Sequence, residues 1–214
     1  MIDTKFHLKI VDFGTARKIA NSNTITKNVT TIHYSAPEVF YTNYDDKADI
    51  WSTGCIFAEL LTGEVLFKGN NDYDQPIKII EKVGYPDEAY VSTLEQSAQD
   101  YLRFLPHRTS QPWEELLPDD VFPVDQKKTF CSATNGRNLI SRMLTFNPDH
   151  RISVNEALDH PYVSWRQHEE EIQNPPKGVY DGAIEKQTLS TEEWKRVIFE
   201  RIKNYEKNHL IDII

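Results

Sequence analysis

Glycine is scarce in this chain. The eight glycines stand at positions 14, 54, 63, 69, 84, 136, 178 and 182. No two are two apart, so neither a G-x-G-x-x-G turn nor a P-loop can be written anywhere in the 214 residues, and the glycine-rich phosphate cradles of those kinds are excluded. There are only two cysteines, Cys55 and Cys131, too few and too far apart to frame a disulfide scaffold or a metal cluster; free thiols in a reducing compartment are expected. No apolar stretch approaches the roughly 18 residues of a membrane span. Asp3, Lys5 and Lys9 charge the first stretch, which argues against a secretory signal. The Asn28-Val29-Thr30 sequon therefore reads as chance. Positive charge is also short: 24 Lys and Arg stand against 33 Asp and Glu, a net charge of −9. Phosphate-rich nucleic acids and anionic membranes repel such a surface, whereas a partner with basic segments suits it.

What is present is core material. Hydrophobic residues make up 39% of the chain, enough for one domain or one domain with an appendage. Leu8-Lys9-Ile10-Val11 reads as a short strand ending at Asp12-Phe13-Gly14, and residues 15–35, rich in Thr, Ser, Asn and Lys, read as a long surface loop. Residues 47–62 give the strongest helix, with apolar side chains almost all round the wheel, a pattern that belongs inside a domain. Gly63 is its expected cap. Further helices are predicted at 77–83, stopped by Gly84, at 88–104, and around Leu139–Leu144. Prolines 106, 112, 118 and 123 mark 106–131 as irregular. Ser153 with Glu156, and Ser190 with Glu193, are capping boxes. The first opens a short helix ending at His160-Pro161; the second opens an amphipathic helix through Trp194, Val197, Ile198, Ile202 and Tyr205. A polar tether with Pro175-Pro176 lies between them.

Four motifs carry the chemistry. Each has a plain structural reading when taken alone. Asp12-Phe13-Gly14 could be a strand-end turn. Ala36-Pro37-Glu38 is uninformative alone. Asp49 in Asp49-Ile50-Trp51-Ser52-Thr53-Gly54 could serve the positive end of its helix. Arg151 could be a solvated charge. In this order and spacing, however, the chain resembles the C-terminal lobe of a eukaryotic protein kinase from Leu8 to Val163. Leu61-Thr62-Gly63-Glu64-Val65-Leu66-Phe67-Lys68-Gly69-Asn70, Asp72-Tyr73-Asp74-Gln75, Leu117-Pro118-Asp119-Asp120-Val121-Phe122-Pro123 and Thr191-Glu192-Glu193-Trp194-Lys195 are similar to the mitogen-activated protein kinases, and most to the c-Jun N-terminal kinase, stress-activated branch.

The resemblance implies a mainly α fold: a partial kinase C-terminal lobe over 1–163 with a short N-terminal β-strand, and a 164–214 extension with a docking segment and a terminal helix packing back. It implies that Asp12 is a Mg²⁺ ligand, that Thr31 steadies the catalytic aspartate, that Asp49 supports the catalytic-loop backbone, and that Glu38 and Arg151 form a buried pair. Thr26 falls in the activation loop, where the family's T-x-Y site aligns with Thr26-Lys27-Asn28. The tyrosine position is Asn28, and the two phosphotyrosine-receiving arginines align with Ile32 and Ser35. Receptor and phosphate are thus lost together, so tyrosine-phosphate activation is not expected. Glu169-Glu170-Glu171 reads either as a solvated charge run or, by position, as the acidic patch that docks basic peptides.

The implied fold lacks an N-terminal lobe, and no H-R-D motif occurs in these residues. Mg²⁺ and ATP belong to a full-length kinase and are not expected to bind this chain alone. Two functions stay open: a cytoplasmic, or also nuclear, Ser/Thr kinase acting on protein substrates under upstream kinases and scaffolds, or a non-catalytic module docking basic motifs. In either case the all-round apolar helix at 47–62 needs cover. An uncovered patch there would make the isolated chain poorly soluble or obligately associated.

Overall fold

The structure, a computed structural model, describes residues 1, 4, 8, 10–15, 32–123, 129–164, 183, 184 and 187–208. The chain divides into two units, Met1–His168 and Glu169–Ile214. The first holds eight helices among the described residues: α1 Lys47–Thr62, α2 Asp74–Val83, α3 Glu88–Thr93, α4 Gln96–Phe104, α5 Trp113–Leu116, α6 Ala133–Met143, α7 Val154–Leu158 and α8 Pro161–Ser164. The second holds α9, Thr191–Asn208. No described helix is long and apolar enough to cross a membrane.

Local chemistry sets the length of α1. The Asp45 carboxylate accepts the Lys47 N–H at 2.9 Å, and Asp49 lies in the first turn, where the helix dipole favours an anion. At the other end Gly63 adopts the left-handed conformation, φ 74°, and donates its N–H to the Glu59 carbonyl at 2.7 Å. The inner face of α1, Ala48, Trp51, Gly54, Cys55 and Ala58, is buried. Gly54 lets α6 approach: a Cβ there would stand 3.0 Å from Met143 and Leu144 side-chain atoms. Around this face gather Phe67, Ile79, Ile80, Val91, Leu102, Leu117, Ile140 and Leu144, the main core.

Three expectations need correction. The described residues of the expected strand do not form one: Leu8 makes an isolated bridge, while Ile10 and Val11 are exposed without regular structure. A strand exists only against a partner, and none lies beside Ile10 and Val11 among the described residues. The helix expected at 88–104 is two. Leu94 and Glu95 are extended, with ψ of 163° and 152°. The Ser92 and Thr93 hydroxyls bond back to the Glu88 and Tyr90 carbonyls, competing with continuation of α3. Third, α1 is not enclosed on every side. Ile56 is 49% and Leu60 74% exposed, on one stripe with exposed Asp49 and Thr53. Smaller departures are α5 and two 3-10 turns within the stretch expected to be irregular, and α8 beginning at Pro161, where Pro at the first helical position is favoured.

Both capping boxes form. Ser153 N–H donates to Glu156 Oε2 at 2.8 Å and Glu156 N–H to Ser153 Oγ at 3.3 Å. The Ser190–Glu193 pair repeats this at 2.8 and 3.4 Å.

Replacing Ile56 and Leu60 together by Gln is expected to raise the monomer fraction of the chain in sedimentation velocity with little change in unfolding free energy, since both side chains lie largely in solvent. An unchanged profile would remove this stripe as a cause of association. A second prediction concerns acid. His160 is buried; its Nδ1 accepts the Tyr162 N–H at 3.2 Å and its Nε2, the protonated nitrogen that this pattern assigns, donates to Asn138 Oδ1 at 3.0 Å. Burial, and then the Arg142 charge, hold its pKa below the usual histidine value. The unfolded chain then binds the proton more readily, so stability is complete above about pH 6.5 and falls as pH drops through the folded pKa. Denaturant melts between about pH 7 and 5 check this; His160→Gln should flatten the slope.

Candidate functional site

The site grows from one buried ion pair. Pro37 starts a 3-10 turn, Pro37–Phe40, that carries Glu38 inward to 1% exposure. Arg151 follows the turn Pro148–His150, which Asn147 caps by accepting the Asp149 N–H at 2.9 Å. Arg151 Nη1 donates to Glu38 Oε1 at 2.6 Å and Nη2 to Glu38 Oε2 at 2.9 Å, a bidentate fork across 113 residues of chain. The other guanidinium protons go to carbonyls: Nε to Thr145 at 3.1 Å, Nη1 to Lys47 at 2.8 Å and Nη2 to Phe146 at 3.3 Å. The guanidinium carbon lies 5.0 Å over the Trp51 ring, on which Phe67 stacks at 5.5 Å. Lys47 returns the contact, its Nζ donating to the Arg151 carbonyl at 2.6 Å.

The stretch leading into Glu38 is fastened to α1 and to the Phe67–Asn70 loop. Tyr34 Oη donates to Glu59 Oε2 at 2.7 Å, and this bond, ahead of burial, raises the Tyr34 pKa. Ser52 Oγ donates to the Tyr34 carbonyl at 2.8 Å, and His33 Nε2 meets the Gly69 carbonyl at 3.0 Å. Beyond Glu38, Tyr41 meets Tyr90, hydroxyl to hydroxyl, at 3.0 Å; burial pushes both phenols up. Burial likewise pushes the Cys55 thiol up to about 12, so it is inert packing.

The structure therefore brings Glu38, Arg151 and the tryptophan helix together. Of the other expected residues, Asp12 and Asp49 are described. Asp12 is exposed at φ 63°, and its Oδ1 accepts the Gly14 N–H at 3.3 Å. Asp49 is exposed on the outer stripe of α1. Thr26, Thr31 and Glu169, Glu170 and Glu171 lie outside the described residues. Mg²⁺ needs several oxygen ligands, and no three His, Cys, Asp or Glu side chains that could hold a metal lie together among the described residues.

With this geometry established, the comparisons decide the family. The model of the protein kinase domain matches residues 1–163. The chain belongs to the protein kinase family. Within it the chain is similar to stress-activated kinases: it is 39% identical over 199 residues to the stress-activated protein kinase JNK of Suberites domuncula, covering 92% of this chain and 55% of the relative. It is 38% identical over 204 residues to the Drosophila melanogaster JNK, covering 94% and 55%. It is 37% identical over 203 residues to Caenorhabditis elegans jnk-1, covering 94% and 44%. The chain spans about half the length of the curated relatives it matches.

Lys47, Thr145, Phe146, His33 and Tyr34 were not read from the sequence as parts of this kinase site. The partners of Lys47, His33 and Tyr34 lie far along the chain, Thr145 and Phe146 act through backbone carbonyls, and no local pattern announces them.

Glu38→Leu or Arg151→Met alone should each cost about 3–5 kcal/mol in urea unfolding, because the remaining charge is buried without its counter-ion. The double Glu38→Leu, Arg151→Met variant should cost less than the sum of the singles. Strict additivity would show that the pair does not act as a unit.

Proposed function

We propose that this chain contributes the C-terminal lobe of a stress-activated serine/threonine kinase, which transfers the γ-phosphate of ATP to protein Ser or Thr hydroxyls. The observation that carries this reading is the buried Glu38–Arg151 fork over Trp51, which fastens the segment after Asp12 to α1. Phosphoryl transfer is chiefly positioning and charge stabilisation, so a rigid base for the loop matters more than a reactive side chain within it. In this reading Asp12 supplies one carboxylate of the metal site, and Asp49 offers its exposed carboxylate to a neighbouring backbone. Thr31 and Thr26 act within the loop. Glu169, Glu170 and Glu171 receive basic docking segments of substrates, upstream kinases or scaffolds, in keeping with the net charge of −9. In this reading the protein acts in the cytoplasm, or also in the nucleus.

The 214 residues contain no glycine-rich phosphate cradle and no H-R-D motif. Calorimetric titration of this chain with Mg-ATP should therefore give no saturable heat, and the chain should transfer no label from γ-labelled ATP. A basic, leucine-flanked peptide should bind it in fluorescence anisotropy, more weakly as salt rises, and lose binding when Glu169, Glu170 and Glu171 become Lys. Saturable Mg-ATP binding, or peptide binding indifferent to those charge reversals, would overturn the assignment.

A further inference from the structure

Tyr73 is 79% exposed, the most open tyrosine among the described residues; Tyr205 follows at 56%, and the others are buried or half-buried. A lone exposed aromatic means little by itself. Here three further features meet at it. First, its backbone is presented on a turn built by its neighbours. The Tyr73 and Asp74 N–H groups both donate to Asn71 Oδ1 at 3.0 Å, and Asn70 donates its N–H and Nδ2 to Asp74 Oδ2 at 3.0 and 2.8 Å. Second, the Tyr73 phenol makes no hydrogen bond among the described residues, so the turn does not depend on it. Third, Asp72 and Asp74 flank it, and the nearest lysine on α2, Lys78, is already held by Glu81 at 3.0 Å.

We propose that Tyr73 is a phosphorylation site for a separate tyrosine kinase that selects acidic flanking residues. An enzyme presenting basic groups on either side of its acceptor groove would read Asp72 and Asp74, while the fixed turn holds the phenol outward. In the transfer, Tyr73 Oη attacks the γ-phosphorus of the nucleoside triphosphate bound by that kinase. The Oη–P bond forms, the bond from the γ-phosphorus to the bridging oxygen breaks, and the nucleoside diphosphate leaves. The phenolic proton passes to the modifying kinase's base. The product adds about −1.5 to −2 charge beside Asp72 and Asp74. It stands just before the first turn of α2, whose amide dipole favours an anion and offsets part of the repulsion.

The test incubates the whole chain with Mg-ATP and a recombinant tyrosine kinase of acid-directed specificity, followed by phosphopeptide mapping. Phosphate is expected predominantly on Tyr73. Tyr73→Phe should abolish that peptide's modification while leaving the thermal melt unchanged, and Asp72→Asn should slow modification several-fold. Phosphate on Tyr34, Tyr180 or Tyr205 with Tyr73 bare, no tyrosine phosphate at all, or an undiminished rate in Asp72→Asn would each overturn the assignment.

Discussion

A guanidinium and a carboxylate, each stripped of water, meet beneath the tryptophan of α1. Burying either ion alone costs several kcal/mol, and their mutual attraction repays this only with full hydrogen bonding. Here the accounting closes. Nε, Nη1 and Nη2 of Arg151 serve both Glu38 oxygens and the carbonyls of Lys47, Thr145 and Phe146. A lysine could not replace it: it has three donors and no plane to lie over Trp51. Two of the carbonyls stand just beyond the C-terminal end of α6, one at the start of α1, and the carboxylate on the turn after Pro37. One side chain therefore fixes three segments, two of them more than a hundred residues away in sequence.

Trp51 explains why α1 is the element to which these segments are tied. It is wholly buried, with Arg151 over its ring and Phe67 stacked on it. Gly54, one turn later, brings α6 close enough to deliver the Thr145 and Phe146 carbonyls. Enlarging that glycine would displace Met143 and Leu144 and with them two of the acceptors. Packing and charge satisfaction are thus coupled: the apolar contact sets the distance at which the polar contacts are made.

Much of this was legible in the sequence. The Glu38–Arg151 pair, the extent of α1, its glycine cap and both capping boxes all rest on residue types with a specific local job or a motif of fixed order. What was not legible depended on neighbours. Leu8 to Val11 has strand character, but strand formation is a property of two segments. Ile56 and Leu60 are as apolar as the residues on the buried face, and a helical wheel cannot say which faces the rest of the fold covers. The break at Leu94 has no Gly or Pro to mark it; hydroxyls turning back on their own helix end α3, and such competition is decided by fractions of a kcal/mol.

The anchoring of residues 32–38 also bears on control of the preceding loop. In the related kinases' pattern two arginines in this stretch would receive a phosphotyrosine; this chain has Ile32 and Ser35 there, and Asn28 where the tyrosine would stand. The described end of the loop is nonetheless secured, by Tyr34 to Glu59, Ser52 to the Tyr34 carbonyl, His33 to the Gly69 carbonyl, and Glu38 to Arg151. None of these contacts uses a phosphate. An end held by these hydrogen bonds and one buried ion pair does not depend on an added dianion, and without arginine in 32–35 a dianion there would gain no fork to bind it. The residues at 28, 32 and 35 fit one another: by the family resemblance each stands where one part of a phosphotyrosine device would be, and the described contacts at 32–38 are made by other side chains.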